Sequence, residues 1–373
     1  MLYRAIGLMS GSSLDGLDIV FAEFQENAGK WQFEILAAEC EEYSQSWKER
    51  LQHATGLNAM DYQLLHVEYG HYLGEAVNRF IEKNNLHYRV GLVASHGHTT
   101  FHMPGRKLTA QLGDGAAIAA QTGLPVVSDL RALDVAFGGQ GAPIVPIGEK
   151  LLFPDFDLYL NLGGIANISF NLQGKYIAYD VCPANKVLNL VCNTVGKEYD
   201  DKGQMAAIGN VHPELLEKLN GLSYYGQPYP KSLANDFGID KVFPIIQSFG
   251  LTHNDGLRTY TEHIVHQLSE AIKANFPANQ EKSVDETNNR RHRMLVTGGG
   301  AFNSFLTEAL SQKLETMCVD LIIPESNVIN YKEALIMALI GVLRWRQEYN
   351  VLSSVTGATR DSIGGAVWIG QEA

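Results

Sequence analysis

The chain holds 373 residues, 45% of them hydrophobic and 19% charged, an ordinary globular composition at a length beyond one ordinary core, so two domains are expected. Lys and Arg number 29 against 41 Asp and Glu, a formal charge of −12 that argues against a nucleic-acid or anionic-membrane surface. Four scattered cysteines without CxxC spacing (Cys40, Cys182, Cys192, Cys318) suggest neither a zinc site nor a disulfide framework.

The opening run, Met1 to Met9, is a strand pattern without a signal-peptide core, and no run approaches transmembrane length, so a reducing, cytoplasmic compartment is the default. Leu17 to Phe24 alternates again, and the Gly/Ser turn between the two runs predicts a β-hairpin. The turn holds Gly11, Ser12, Ser13, Leu14, Asp15 and Gly16, with Asp18 just beyond. It offers backbone N–H groups, hydroxyls and two carboxylates. Such a turn can cradle a phosphate while Asp15 and Asp18 hold a magnesium ion, or it can be plain hairpin chemistry. Trp31 to Glu41 reads as a third strand, followed by helices at Ser46–Ala54 and Asp61–Asn84. In the second helix Leu64, Leu65, Val67, Tyr72, Leu73, Ala76, Val77, Phe80 and Ile81 form the expected core stripe. Val90 to Ala94 reads as a short buried strand that ends at Ser95-His96-Gly97-His98. His96, His98 and His102 have no carboxylate or cysteine to complete a metal set, so hydrogen bonding to substrate or backbone is preferred to ligation. Strands at Leu108–Leu112 and Pro125–Val127 flank a helix near Ala116–Thr122. Arg131 follows, where it can clamp an oxyanion or pair with Asp129 or Asp134.

The pattern then restarts. Leu158–Leu162, a Gly163-Gly164 turn, Ile165–Phe170 and Tyr176–Tyr179 give a second meander ending at Asp180, which reads either as a general base in a cleft or as a turn Asp. Helices are expected at Lys186–Val195, Pro213–Leu219 and Arg258–Ala274, then a polar surface loop over Asn275–Arg293. A strand at Met294–Val296 breaks at Gly298-Gly299-Gly300, a helix runs over Ala301–Lys313, and a strand follows at Leu321–Ile323. An amphipathic helix at Asn330–Glu348 carries Glu333 in its first turn, where helix-end stabilisation is the plainer role. The order of elements thus occurs twice although the residues do not repeat. A duplicated meander unit predicts two similar lobes with a nucleotide in a cleft between them, faced by the Gly turns.

Together GLMSGSSLDGLD, ASHGHTTFHMPG, LTAQLGDGAAIAAQTGLPVVSDLR, FGGQGAPIVP, LNLGGIANISF, VTGGGAFN and SVTGATRDS resemble, in that order, the 1,6-anhydro-N-acetylmuramic acid kinases, over essentially the whole chain. The resemblance implies an α/β, duplicated ribonuclease H-like fold of the actin and hexokinase type. Residues 1–128 would form the N-terminal lobe, with 356–373 packing back on it, and 129–355 the C-terminal lobe. It implies ATP and Mg2+, a small sugar as partner, no nucleic acid or membrane, and a cytoplasmic homodimer. The implied reaction belongs to cell-wall recycling. Water attacks C1 and opens the anhydro bridge while O6 takes the γ-phosphoryl group, giving N-acetylmuramate 6-phosphate and ADP.

By position, Asp180 would activate the water and Gly11 to Asp18 would bind the phosphates. Gly163, Gly164, Asn167, Gly298, Gly299, Gly300 and Asn303 would complete the nucleotide site, and Arg131, Glu333, His96 and Gln111 would surround the sugar. The chain departs from the family pattern at Asp180-Val181-Cys182-Pro183-Ala184-Asn185, where Asp-Thr-Gly-Pro-Gly-Asn is usual. It departs again at Tyr229 to Asp236, where an Arg is lost. A kinase for another sugar and an ATP-binding protein without sugar transfer are the alternatives.

Overall fold

The computed structural model describes residues 1–11, 14–172, 175–229, 231–234, 236–275 and 291–370; Ser12, Ser13 and most of the expected 275–293 loop lie outside the described residues. Alternation at the N-terminus becomes an antiparallel meander of β1 (Leu2–Ser10), β2 (Gly16–Asn27) and β3 (Lys30–Glu42). β1 then pairs parallel with β4 (Leu92–Met103), β4 pairs antiparallel with β5 (Leu108–Leu112), and β4 pairs parallel with β6 (Val126–Ser128). The second meander joins β7 (Leu158–Leu162), β8 (Ile165–Leu172) and β9 (Lys175–Pro183). β7 pairs parallel with β10 (His292–Thr297), and β10 with β11 (Val319–Ile322). A last strand, β12 (Ala366–Trp368), pairs antiparallel with β6.

The sheets therefore run β12-β6-β4-β1-β2-β3, with β5 on β4, and β11-β10-β7-β8-β9. Read from the meander outward, β3-β2-β1-β4-β6 and β9-β8-β7-β10-β11 are one arrangement made twice. The duplicated ribonuclease H-like α/β fold is thus present. The chain divides into two compact units, Met1–Pro154 with Tyr331–Ala373, and Asp155–Asn330. These bounds differ from 128/129 and 355/356. Phe153 packs edge-on against Phe33 of β3, and the helix beyond Tyr331 is seated against β1 at Gly7, which draws both segments into the first unit.

In the first unit Ile6, Leu8, Leu17, Ile19 and Phe21 form a core with the helix Ala59–Lys83. That helix starts where Asn58 accepts the Asp61 N–H at 3.0 Å, as an N-cap does. Its buried stripe is Leu65, Tyr69, Leu73, Ala76, Val77 and Phe80, while Leu64 and Val67, expected inside, are 52% and 40% exposed. At 100° per residue those two fall on the opposite side of the helix from the stripe. In the second unit Leu158, Leu160 and Phe170 pack with Tyr260, Ile264 and Leu268 of the helix His253–Asn275.

Two further differences bear on the site. β4 does not stop at Ala94 but runs to Met103, because β5 supplies the partner that its polar half needs. The last long helix is Ser326–Trp345, so Glu333 lies two turns in, and stabilisation of the helix end cannot explain it. By length and composition that helix could cross a membrane, which the sequence reading excluded; Ala334 to Leu343 are instead buried core of the first unit.

Candidate active site

In the first unit, between β1 and β2, the Leu14 N–H lies 3.5 Å from the Gly11 carbonyl, and Leu14 takes a left-handed φ of 58°. The Asp15 carbonyl accepts from the Tyr43 amide. Gly16 is explained by packing, since a Cβ there would meet Cys40 Sγ and the Glu41 carbonyl oxygen at 2.6 Å. Asp18 faces Met9 on one side and Cys40 on the other. Burial pushes its carboxyl up to about 6, the negative charges of Glu333 and Asp15 add to this, and a hydrogen bond with the Cys40 thiol opposes it. A half-buried carboxylate crowded by others is suited to a cation. Among the described residues no three His, Cys, Asp or Glu side chains group as a metal site.

Beside this turn, Ser10 Oγ accepts from Tyr43 Oη at 2.8 Å and lies 3.1 Å from His98 Nδ1. His96 is fully determined by its neighbours: Arg131 Nε–H donates to its Nε2 at 2.8 Å, so the proton sits on Nδ1, which donates to the Gly97 carbonyl at 2.8 Å. Burial and the Arg131 charge push His96 down to about 3, and it is neutral. Arg131 also donates through its Nη1 to the Gly141 carbonyl at 2.6 Å. Its pKa is pulled to about 10 by burial, against the opposing charges of Glu333 and Asp134. Burial raises the Glu333 carboxyl, and Lys332 and Arg131 oppose that. The alternative reading of Arg131 as a partner of Asp129 or Asp134 finds no ion pair among the described residues: Asp134 accepts from the Gly141 amide and the Thr356 hydroxyl. Arg131, His96 and Glu333 thus form one cluster. The Gln111 side-chain amide donates to Thr109 and Thr99, at 2.8 and 3.4 Å, rather than to a member of this cluster.

In the second unit the strand register assembles a polar row. Thr297 on β10 stands opposite Asn161 on β7, Asn161 opposite Asn167 on β8, and Asn167 opposite Asp180 on β9. Directly opposed residues share a face of the sheet. A bulge sets the end of this row: Ala166 pairs Cys182 while Asn167 pairs Asp180, leaving Val181 as the extra residue. Asp180 therefore lies inside β9 rather than after it. Burial raises its carboxyl, and the Leu233 N–H, donating to Oδ2 at 2.9 Å, opposes that.

At the adjoining strand ends, the Gly163 and Gly164 carbonyls accept from the amides of Ala184, Asn185 and Lys186. In a trans peptide the N–H of Gly164 then points the other way from the Gly163 carbonyl. A Cβ at Gly164 would meet nothing nearer than Lys186 Cβ at 3.8 Å, so packing does not demand glycine there. Gly298 has φ of 82°, and a Cβ there would run into Asn161 and come 2.9 Å from the Leu162 carbonyl, so both conformation and closeness require glycine. Gly300 lies against Asn185, with Gly299 beside it, and Asn185 Nδ2 donates to the Leu162 carbonyl at 2.8 Å. Asn303 caps the helix Ser304–Glu315, its Oδ1 accepting the Leu306 N–H at 3.1 Å, which accounts for an Asn there.

The structure thus adds Asn161, Asn185 and the Leu233 amide to the second unit's site. Asn161 carries a signal in the sequence, as one polar residue inside the apolar run Leu158–Leu162; the amide carries none.

The model of the family described as anhydro-N-acetylmuramic acid kinase matches residues 3–370. The anhydro-N-acetylmuramic acid kinase of Hydrogenovibrio crunogenus is 31% identical over 377 residues, covering 97% of each chain. That of Synechococcus elongatus is 32% identical, covering 98% of this chain and 99% of its own. Among solved structures, the activator of the 2-hydroxyisocaproyl-CoA dehydratase from Clostridium difficile covers 92% of this chain at 13% identity with a TM-score of 0.45, too distant a likeness to bear on the site.

Proposed function

The chain belongs to the anhydro-N-acetylmuramic acid kinase family, and from that premise we propose how its residues divide the work. The reaction joins 1,6-anhydro-N-acetylmuramic acid, ATP and water. The water oxygen bonds to C1, the C1–O6 bond breaks, O6 takes the γ-phosphoryl group, and N-acetylmuramate 6-phosphate and ADP leave. Membership over the whole chain does not favour a kinase for another sugar or a non-catalytic ATP-binding protein.

Asp180 takes the water's proton. The observation that carries this is its carboxylate: burial raises its basicity, and the Leu233 amide holds Oδ2 in place. Arg131 and Glu333 hold the sugar, with neutral His96 orienting Arg131, and Gln111 lines the same region from β5. Asn167 stands beside Asp180 in the polar row. The Gly163-Gly164 turn and Gly298-Gly299-Gly300 let the nucleotide approach the backbone, and the turn from Gly11 to Gly16 receives phosphate oxygens. Asp15 and Asp18 suit a Mg2+ ion, which would neutralise triphosphate charge when bound. Asn303 is left with its capping role. The setting is a cytoplasmic homodimer, in keeping with an acidic chain of unpaired cysteines.

The test is turnover of the anhydro sugar with Mg-ATP in 18O-water, followed by mass spectrometry. The expected product is heavier by one water and one phosphoryl group, with 18O at C1. Phosphorylation without water addition, or transfer only to other sugars, would remove the assignment, as would full turnover by Asp180→Asn.

A further inference from the structure

Among the described residues β9 is the outer strand of its sheet, and no strand pairs with the edge of Asp180 that faces away from β8. Tyr224, Lys231 and Leu233 take that place. The Asp180 amide donates to the Lys231 carbonyl at 3.4 Å, Tyr224 Oη donates to the Asp180 carbonyl at 2.6 Å, and the Leu233 amide donates to Oδ2 at 2.9 Å. Amide, carbonyl and carboxylate of one residue are thus all met by these three residues. Lys231 in turn is held at Tyr224 and Tyr225: Nζ donates to the carbonyls of Tyr224 and Tyr225 at 3.4 and 3.3 Å and lies 4.7 Å from the centre of the Tyr224 ring. The Asp180 carboxyl is raised by burial and lowered by the Leu233 amide.

We infer that Tyr224, Lys231 and Leu233 form a positioning element for the catalytic base, fixing the carboxylate's orientation and committing Oδ2 so that Oδ1 receives the water's proton. This rests on Asp180 being the base. A carboxylate that is free to turn presents its basic oxygen to water only part of the time, and small displacements of a reacting group cost large factors in rate. Tyr224 and Lys231 act through Asp180 and touch no reacting atom.

The measurement is the pH profile of kcat/KM for the sugar in the full-length protein with Mg-ATP. Tyr224→Phe releases the Asp180 carbonyl, loosens this set of contacts and weakens the Leu233 donation. The expected result is a fall in kcat of roughly 10- to 100-fold, unchanged KM for ATP, and an acid limb moved to higher pH, because the donor that holds the carboxyl down is weakened. The titratable groups packed around Asp180, the Tyr179 and Tyr224 phenols and the Cys182 thiol, are pushed up by burial and stay neutral across this range. Asp18 and Glu333, also raised by burial, titrate on the acid side too but are untouched by these variants, so the displacement of the limb from that of the parent protein is what reports the Asp180 carboxylate. Replacing Leu233 by its α-hydroxy acid through nonsense suppression turns the donating N–H into an ester oxygen and leaves every side chain in place, and it decides the matter where Tyr224→Phe fails to fold. An acid limb that stays put in the hydroxy-acid variant, whatever happens to thermal stability, overturns the inference. Asp180→Asn separates the two ideas: turnover kept there removes the base assignment itself, whereas turnover lost with an unmoved limb removes only the positioning role.

Discussion

Arg131 spends two of its donors inside the protein, on His96 and on the Gly141 carbonyl, and this fixes the plane in which the guanidinium is presented. Lysine has the charge but not the fork, so Arg131→Lys keeps a cation and loses its direction. The expected outcome is a KM for the anhydro sugar raised about tenfold or more, with KM for ATP unchanged, in steady-state assays varying one substrate at a time. An equal rise in both would mean that Arg131 supports the fold rather than the sugar. At this scale the sequence is legible where chemistry and residue type coincide. Asp180, Arg131 and His96 are marked by residue type at predicted strand ends, although each has a plainer reading there, as a turn Asp, an ion pair and a backbone hydrogen bond. Gly16 and Asn303 show the opposite: a Gly and an Asn beside a proposed site, explained by strand packing and by a helix cap. The Leu233 amide was invisible because every residue but proline has one, and only the fold says which faces a carboxylate.

At the scale of elements, both meanders and the order of strands follow from alternation and Gly turns, since a half-buried strand must alternate whatever it packs against. Register does not. The bulge at Val181 decides where Asp180 stands relative to Asn167, and it arises from pairing between segments that a local pattern cannot relate. The length of β4 was missed for the same reason, its polar half being paired by β5. Gly7 belongs with these hidden constraints. It lies mid-strand in β1, where nothing in the pattern asks for glycine. A Cβ there would run into the Ala334 carbonyl and come 2.7 Å from the Ala338 amide, both backbone atoms of the helix Ser326–Trp345. Backbone cannot rotate away as a side chain can. Gly7→Ala is therefore expected to cost about 3 kcal/mol or more, read as a large fall in thermal midpoint or loss of soluble protein. Gly29→Ala is the matching control: nothing lies within 4 Å of its Cβ, so its cost is the left-handed φ of 81° alone, about 1 kcal/mol.

Across the whole molecule, burial has left histidines neutral in both units: His96 and His98 in the first, at about 3 and about 4, and His263 in the second, at about 3. Each is depressed from an ordinary 6.5, so each contributes stability that is present above pH 6.5 and lost as pH falls toward its folded value. Asp18 acts in the opposite sense. Raised from 3.8 to about 6, its contribution is full below pH 3.8 and lost as pH rises through 6, so it recovers some stability on acidification. Near pH 5 these four groups together bind about two more protons in the unfolded chain than in the folded one, a slope of roughly 2–3 kcal/mol per pH unit that the raised carboxyls of Asp180 and Glu333 reduce. Denaturant unfolding should weaken steeply between pH 6.5 and 5, well above the range in which ordinary carboxylates titrate. His263 lets this be checked away from the proposed chemistry. Its ring is held by Asn220 at 2.6 Å and by Tyr225 at 3.0 Å, in the core beside the helix His253–Asn275. His263→Asn removes one proton acceptor from the unfolded state. Whatever it does to stability at pH 7.5, it should flatten the slope by about 1.4 kcal/mol per pH unit. An unchanged slope would mean that His263 titrates normally in the folded protein, and that the second unit is open to water where its packing says it is closed.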